Sequence, residues 1–190
     1  RSFEESFQKA IRSLEVGYSG WGCDRSDPTL SIEEIERSLR TPSPDRFMSI
    51  RLAMKHGLTD NEINLLSKID HWFLSKLRNI FKAEEKLRNK KNICDIEAGE
   101  LFNFKQLGFS DKQIAWATNS SELEVREYRK KLDIMPVFKT VDTCAAEFLS
   151  STPYHYSTYE RPIFKINQQG TINKVDYSNE SLSSDVPKVL

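Results

Sequence analysis

A helical unit that occurs twice, 51 residues apart, constrains the fold of this chain more than any other sequence feature. Residues 57–60 (GLTD) correspond to residues 108–111 (GFSD). Each begins with a glycine suited to ending a helix, followed by a hydroxyl residue suited to capping the next one. The same offset continues through a second helix, where the matching residues are Glu62 and Gln113, Ile63 and Ile114, Asp70 and Ser121, Leu74 and Val125, Leu77 and Tyr128, Arg78 and Arg129, and Phe81 and Leu132.

Capping signatures mark where the helices of the later copy begin. Ser110 precedes Gln113 by three residues and Ser121 precedes Glu124 by three, which is the spacing of a capping box. Each copy is therefore predicted to contain a helix stop, a short helix, a turn and a longer helix. Two unrelated helix pairs with similar caps are the alternative, but they would not explain the shared offset.

Composition excludes several function classes for a chain of 190 residues. Its 28 basic residues balance 28 acidic ones, which argues against a general binder of nucleic acid or membranes. Apolar residues make up 38% and charged residues 29% of the chain, which is typical of a soluble, helix-rich protein. No apolar run approaches the ~20 residues that a membrane-spanning helix needs. The first residue is not Met and no signal peptide follows, so we expect part of a longer protein.

The segment before the duplicated unit is predicted to contain helices joined by an irregular loop. Residues 2–15 have apolar residues on one stripe, and another helix is expected to begin after Ser31. The glycines and the Asp-Pro pair of the intervening loop prevent regular structure. We expect Trp21 in this loop to fold back onto the core. A solvated loop has no need of Tyr18 and Leu30 either, so they pack on the core or form a contact surface, and they are the candidate residues of a subunit interface.

Further helix boundaries are predicted from Pro, Asp and aromatic residues. Ser43 is expected to cap a helix with Pro44 in its first turn, and Asp95 to cap another. The helix after Asp70 is expected to be the central one, since Trp72 and Phe73 widen its apolar face.

Beyond Asp133 the pattern changes from helical to extended. Residues 134–160 contain β-branched residues, tyrosines and two prolines, which predict an extended connector with one helical turn near Ala145. Residues 161–186 are polar without a period, and we expect a disordered insertion. Residues 187–190 are expected to open a buried strand. The predicted fold is all-α: an irregular array of short helices with the duplicated helix-turn-helix unit, followed by an extended C-terminal strap.

No pattern in the sequence predicts a catalytic, cofactor-binding or metal site. Neither GxGxxG nor GxxxxGK[ST] occurs, and the three cysteines and three histidines are dispersed. Cys144 and His155 form a conceivable nucleophile and base. However, the acidic residues Asp142 and Glu147 flank Cys144 and disfavour a thiolate, so we expect a small buried cysteine. A reducing compartment such as the cytoplasm fits this cysteine usage.

The later copy of the unit also has the spacing of a DNA-reading helix-turn-helix. In such proteins the N-terminal residues of the second helix contact bases. Here those residues are Glu122 and Glu124, and residues 122–133 contain as many acids as bases. Because DNA binding requires uncompensated cations, the charge pattern argues against this alternative. A free-standing helical adaptor is the other alternative.

Five segments together resemble one enzyme family. They are FEESFQKAIRSLEVG at 3–17, IDHWFL at 69–74, GFSDKQIA at 108–115, VDTCAAEF at 141–148 and YSTYE at 156–160. In this order they are similar to the large subunit of the glutamine-hydrolysing carbamoyl phosphate synthases, and PKVL at 187–190 is similar to the first strand of its second synthetase half.

The resemblance implies the central oligomerization or connection domain of that large subunit. The parent enzyme is an ATP-dependent ligase with two ATP-grasp halves, which use ATP with Mg or Mn. It makes carbamoyl phosphate for arginine and pyrimidine biosynthesis from bicarbonate and from ammonia that a glutaminase small subunit releases. None of the family's ATP-, metal- or bicarbonate-contacting residues maps onto this chain, so the resemblance implies a non-catalytic module.

The resemblance also implies a division of the chain. Residues 1–16 would be the final helix of the first half, 17–133 the helical domain and 134–160 the connector. The insertion 161–186 would follow, and 187–190 would begin the second half. The expected partners are these two halves, the small subunit and a second copy of the chain, with no nucleic acid or membrane among them.

Overall fold

A computed structural model of the protein shows eight α-helices in succession in the first two thirds of the chain. This count refers to the residues that the structure describes. The described residues are 2–142, 144, 147–148, 154–160, 163–166, 172–175 and 179–181. They fall into two units, Arg1–Asp133 and Ile134–Leu190. The helices are α1 (Phe3–Ser13), α2 (Ile32–Arg40), α3 (Arg46–Lys55), α4 (Asp60–Ser67), α5 (His71–Arg88), α6 (Ala98–Gln106), α7 (Asp111–Ala117) and α8 (Glu122–Lys131), with a 3₁₀ turn at Ile93–Asp95.

The duplicated unit extends to three helices per copy, since α3–α5 and α6–α8 share the 51-residue offset. Gly57 and Gly108 both have φ of +88°, a left-handed conformation that only glycine adopts without strain. The turns within the two copies match as well: Lys68 and Asn119 both have positive φ, +60° and +51°. The residues after the glycines close the helix ends through equivalent hydrogen bonds, from Leu58 N–H to Ala53 O and from Phe109 N–H to Phe104 O.

The predicted caps of the duplicated unit are confirmed. Ser110 with Gln113 and Ser121 with Glu124 each form both hydrogen bonds of a capping box. Thr59 with Glu62 does the same at the start of α4. Asp70 caps α5 through a hydrogen bond from the Trp72 N–H.

An ion pair links the two helices that follow the glycine stop in both copies. In the earlier copy, Arg78 donates to Asp60 Oδ1 from Nε (2.9 Å) and from Nη2 (2.6 Å). In the later copy, Arg129 Nε donates to Asp111 Oδ2 at 2.9 Å, and Lys105 Nζ lies 2.8 Å from Asp111 Oδ1. The shared geometry supports duplication over chance similarity, because these residues are related by the same offset.

Helix α5 is central, as predicted, and contacts α1, α3, α4 and α7. Its inward face carries the buried apolar residues Leu74, Leu77, Ile80, Phe81, Ala83 and Leu87. Trp72 and Phe73 were expected to extend this face, but they are 52% and 45% exposed. The expectation is wrong because the two residues lie in the first turn of α5, where α1 covers only part of them.

Two predicted helix starts are displaced. Helix α3 begins at Arg46, since residues 44 and 45 form a turn and Asp45 is the N-cap, without a side-chain hydrogen bond. Asp95 does not cap α6. Its carboxylate instead accepts the Asn92 N–H at 3.0 Å, which completes a capping box around the 3₁₀ turn. Helix α6 therefore begins after Glu97.

The second unit contains the extended strap. Strand β1 (Val137–Thr140) pairs antiparallel with β2 (His155–Thr158), with Val137 opposite Thr158. Residues 179–181 lie beside β1: Glu180 N–H donates to Phe138 O at 2.8 Å and Glu180 Oε2 accepts the Thr140 N–H at 2.7 Å. The predicted all-α fold with a C-terminal strap is thus confirmed.

A second hairpin occurs in the segment expected to be a disordered insertion. Strand β3 (Ile163–Ile166) pairs antiparallel with β4 (Ile172–Val175). These strands were not expected from the sequence, because four-residue runs of mixed polarity carry no clear period. The predicted helical turn at Ala145 and the predicted strand at 187–190 lie outside the described residues.

The two ion pairs of the duplicated unit are expected to differ in their contribution to stability. Asp111 is 12% exposed and contacts two cations, whereas Asp60 is 31% exposed and contacts one. Asp111→Asn should lower the free energy of unfolding by about 3 kcal/mol, because it removes charge from a buried network. Asp60→Asn should lower it by about 1 kcal/mol, as for a pair near solvent. Urea unfolding of both variants measures the difference, and equal losses would contradict this interpretation.

Candidate functional site

The loop between α1 and α2, residues 14–31, lacks helices and strands but is fixed by buried side chains. Trp21 is fully buried, as predicted. Its backbone N–H donates to Gln8 Oε1 at 2.7 Å, and its indole Nε1–H donates to the Phe47 carbonyl at 2.9 Å. Both N–H groups of this large residue are therefore satisfied inside the core.

The second copy of the duplicated unit also binds this loop, through hydrogen bonds from Gln113 and Ser110. Gln113 Nε2 donates to the Gly22 carbonyl at 2.8 Å, while its Oε1 accepts the Ser110 N–H at 2.9 Å. Ser110 Oγ in turn donates to the Ser19 carbonyl at 3.0 Å. One amide side chain thus caps α7 and fixes the loop at once.

A buried ion cluster attaches the C-terminal part of the loop to α3 and α5. Arg51 Nε donates to Glu84 Oε2 at 2.6 Å, and Arg51 Nη1 lies 2.5 Å from Asp27 Oδ1 in the loop. Lys55 contacts Asp27 at 2.6 Å, and Arg88 contacts Glu84 at 2.8 Å. Glu84 is only 1% exposed, so its charge depends on these cations.

The cluster shifts the pKa values of its members. Burial opposes ionisation of Asp27, but hydrogen bonds from Arg51 and Lys55 outweigh it and lower the pKa of Asp27 to about 2. Burial likewise opposes the charge of Arg51, yet the carboxylates of Glu84 and Asp27 raise its pKa. The cluster pairs three cations with two carboxylates, so each charged side chain has an opposite partner. Such an arrangement fixes the loop to α3 and α5.

Cys23 lies beside this cluster as a buried, unreactive thiol. Its backbone N–H donates to Glu84 Oε1 at 3.3 Å, and its Sγ lies 3.8 Å from the same oxygen. Burial, followed by the charge of Glu84, raises the pKa of the Cys23 thiol to about 12. Because the thiolate is the nucleophilic form, this cysteine is unsuited to covalent catalysis.

Cys144 was expected to be buried, but the structure places it on the surface. The expectation is wrong because the residue belongs to the strap and not to the helical core. Among the described residues, no group of three or more His, Cys, Asp and Glu side chains is arranged to hold a metal ion. Within the same residues, no helix is long and apolar enough to cross a membrane.

The two candidate interface residues lie within the fixed loop. Tyr18 is half-buried, with its ring 6.3 Å from that of Phe47 and with the Arg25 guanidinium 4.0 Å from its centroid. Leu30 is half-buried immediately before Ser31, the N-cap of α2. Both residues thus belong to a segment that the buried contacts hold in one conformation. Their role in an interface stays a prediction.

The first turn of α8 is acidic and engaged in capping. Glu124 accepts the Ser121 N–H at 2.6 Å, and Arg129 of the same helix pairs with Asp111. Bases would have to be read by residues at this helix start. The structure therefore strengthens the charge argument against the DNA-binding alternative.

Sequence reasoning missed the exposed aromatic pair of α5, Trp72 and Phe73. The signal was present in the helix pattern: apolar residues at 72–74, 77, 80 and 81 cover more of the circumference than a single packed face needs. Some of these apolar side chains, those of Trp72 and Phe73, therefore stay partly exposed.

The fold and its buried clusters define a helical packing module in which charged side chains fix structure. Comparison with known proteins agrees. The profile of the family described as "Carbamoyl-phosphate synthetase large chain, oligomerisation domain" matches residues 1–133. The chain belongs to this family of carbamoyl-phosphate synthetase oligomerisation domains.

Individual relatives carry consistent names. Over 160 residues, or 84% of this chain, it is 51% identical to the carbamoyl phosphate synthase large chain of Synechocystis and 49% identical to that of Nostoc. It is 47% identical over 161 residues to the arginine-specific, chloroplastic large chain of Arabidopsis thaliana. The aligned regions cover 84% of this chain but only 14% to 15% of these relatives.

Gly22 is expected to be essential for the packing of the loop against the ion cluster. A Cβ atom there would lie 2.4 Å from Glu84 Oε2 and 2.6 Å from Arg51 Nε. Gly57 is a matched control, with φ of +88° against +87°, because a Cβ atom at that position would have no neighbouring atom within 4 Å.

Both Gly→Ala variants incur the strain of a positive φ, about 1 kcal/mol. Gly22→Ala should lose about 1–3 kcal/mol more than Gly57→Ala, since its methyl group overpacks a buried site. Chemical denaturation measures both free energies of unfolding. Equal losses of unfolding free energy in the two variants would contradict close packing of Gly22 against the ion cluster.

The Asp27 carboxylate predicts an acid-dependent loss of stability. Its pKa is about 2 in the folded chain, against about 3.9 for an unperturbed Asp. The stability that it contributes is therefore present above pH ~4 and lost as the pH falls from ~4 to ~2, with a slope of up to about 1.4 kcal/mol per pH unit. Asp27→Asn should reduce the slope of the unfolding free energy in this window. An unchanged slope in the variant would show that Asp27 does not titrate as described.

Proposed function

We propose that this chain is the oligomerization and connection domain that joins two ATP-grasp halves of a carbamoyl phosphate synthase large subunit. The observation that carries this proposal is the coincidence of two boundaries. The family match and the helical unit both end at Asp133. The extended strap that follows has the form of a connector to another domain.

The proposed division of the chain follows from this role. Residues 1–16 are the last helix of the first half, 17–133 the helical domain, 134–160 the connector and 161–186 an insertion. Residues 187–190 begin the second half. The names and lengths of the relatives support the larger protein, because the aligned regions cover only 14% to 15% of them.

The proposed reaction belongs to the flanking halves. They would use ATP with Mg or Mn to make carbamoyl phosphate from bicarbonate and from ammonia released by a glutaminase small subunit, in the cytoplasm or an equivalent compartment. This module contributes no reacting group in the proposal. A rigid spacer has mechanistic value because an intermediate that passes between two halves must not escape to water.

Rigidity is what the buried contacts of the module supply. The ion cluster of Arg51, Glu84 and Asp27 ties the loop to α3 and α5, and Gln113 ties it to α7. The loop therefore presents Tyr18 and Leu30 in a fixed arrangement, which favours self-association through this surface.

Light scattering across a concentration series tests self-association of the chain. A concentration-dependent dimer is expected, and Leu30→Glu should abolish it, because a charge placed in an apolar contact has no partner. Leu65→Glu is the matched control, since Leu65 is an exposed leucine on α4, outside the loop. Circular dichroism should show unchanged helical content in both variants. A strict monomer at high concentration, or an equal effect of both substitutions, would contradict an interface at Leu30.

A further inference from the structure

An aromatic cluster on the surface lies apart from the loop and the ion cluster. It consists of Phe3 of α1 with Trp72 and Phe73 of α5. The ring centroids are 5.5 Å apart for Phe3 and Trp72, 5.6 Å for Phe3 and Phe73, and 5.0 Å for Trp72 and Phe73. About half of Trp72 and of Phe73 is exposed. Contiguous exposed aromatic rings are typical of interaction sites.

The cluster is preorganised by rings that connect it to the core. Phe3 stacks on Phe7 at 5.6 Å, and Phe7 meets the fully buried Trp21 edge-on, also at 5.6 Å. The exposed rings are therefore held in place before any partner binds, which lowers the entropy that binding must overcome.

Charges beside the cluster are compensated within the chain. Lys76 Nζ lies 5.5 Å from the centre of the Trp72 ring and 3.8 Å from Glu4 Oε1. Asn79 Nδ2 donates to the same oxygen at 3.0 Å. Charge-steered encounter depends on an uncompensated field. This surface offers apolar area instead, which suits a permanent contact.

The cluster is too small to hold an independent partner. Because an aromatic side chain buries about 150–250 Å² in full, the half-exposed Trp72 and Phe73 together offer roughly 150–250 Å². A stable complex of separate molecules buries about 800 Å² per partner. A domain tethered to the same polypeptide has a high effective concentration and needs far less area.

We infer that the exposed Trp72 and Phe73 rings, which Phe3 of α1 contacts, are the docking surface for the first synthetase half of the same polypeptide. The inference rests on the proposed function, in which α1 is the last helix of that half. Phe3 then belongs to that half and already contacts the Trp72 and Phe73 rings of the module. The half that continues from α1 is the tethered domain nearest to the cluster.

Photo-crosslinking in the full-length large chain tests this inference. Phe73→p-benzoylphenylalanine places a crosslinker in the cluster. Trp116→p-benzoylphenylalanine is the matched control, since Trp116 is a 40% exposed aromatic residue on α7. Mass spectrometry identifies the crosslinked peptides, and mixing isotope-labelled with unlabelled protein separates contacts within one chain from contacts between copies.

Position 73 should crosslink within one chain to peptides of the first half other than residues 1–16, about fivefold or more above position 116, because the core of an interface excludes solvent. Crosslinks between differently labelled copies would overturn the inference in favour of a second copy. Crosslinks to the second half, or no excess over position 116, would also overturn it.

A separate readout tests the proposed function in the same preparation. Unsubstituted full-length protein with its small subunit should form carbamoyl phosphate from bicarbonate, glutamine and ATP. Without that synthesis the proposed function fails, whatever the crosslinks show. Synthesis without the crosslinks expected at position 73 overturns only the docking surface.

Discussion

The contact of the Arg51 guanidinium with two carboxylates is the interaction on which the rest of the helical unit depends. Glu84 comes from α5 and Asp27 from the loop, so one side chain of α3 joins three parts of the chain. A buried charge is tolerated only when its partners are complete. Any displacement of α3, α5 or the loop would leave a carboxylate or a guanidinium unpaired. The ion cluster therefore fixes the position of a loop that has no helix or strand of its own.

The two copies of the duplicated unit share a geometry but differ in their task. Both use an acid at the start of one helix and an arginine on the next, Asp60 with Arg78 and Asp111 with Arg129. They differ at the third helical position, where the earlier copy has Glu62 and the later one Gln113. A carboxylate serves the cap alone, whereas the amide caps with its oxygen and donates from its nitrogen to the Gly22 carbonyl. The exchange of Glu for Gln thus lets the later copy hold the loop.

Two surfaces of the module are held in place by different kinds of contact. The loop with Tyr18 and Leu30 is fixed by charges and amides, whereas the Phe3–Trp72–Phe73 cluster is fixed by edge-to-face ring contacts. Both are held in place by contacts with buried residues. This agrees with a domain whose family is described by oligomerisation and whose proposed role is to hold two halves in position.

Local features of the chain could be predicted because local chemistry decides them. The caps of α4, α7 and α8, the glycine stops at 57 and 108 and the burial of Trp21 depend on a few neighbouring residues or on strong apolarity. The all-α class followed from the same patterns, whereas the family resemblance rested on five sequence segments. The start of α6 was misplaced because Asp95 has two possible capping roles, and the choice between them depends on Asn92.

Tertiary structure alone decided which charges are paired and which apolar residues are covered. Arg51, Glu84 and Asp27 are far apart in sequence, and nothing in their spacing marks them as partners. Trp72 and Leu74 are both large and apolar, yet Leu74 is fully buried, whereas Trp72 is half-exposed because α1 covers only part of it. Periodicity and capping act within a few residues and are written in the sequence. Ion pairing and burial depend on distances between remote segments, which the packed fold sets.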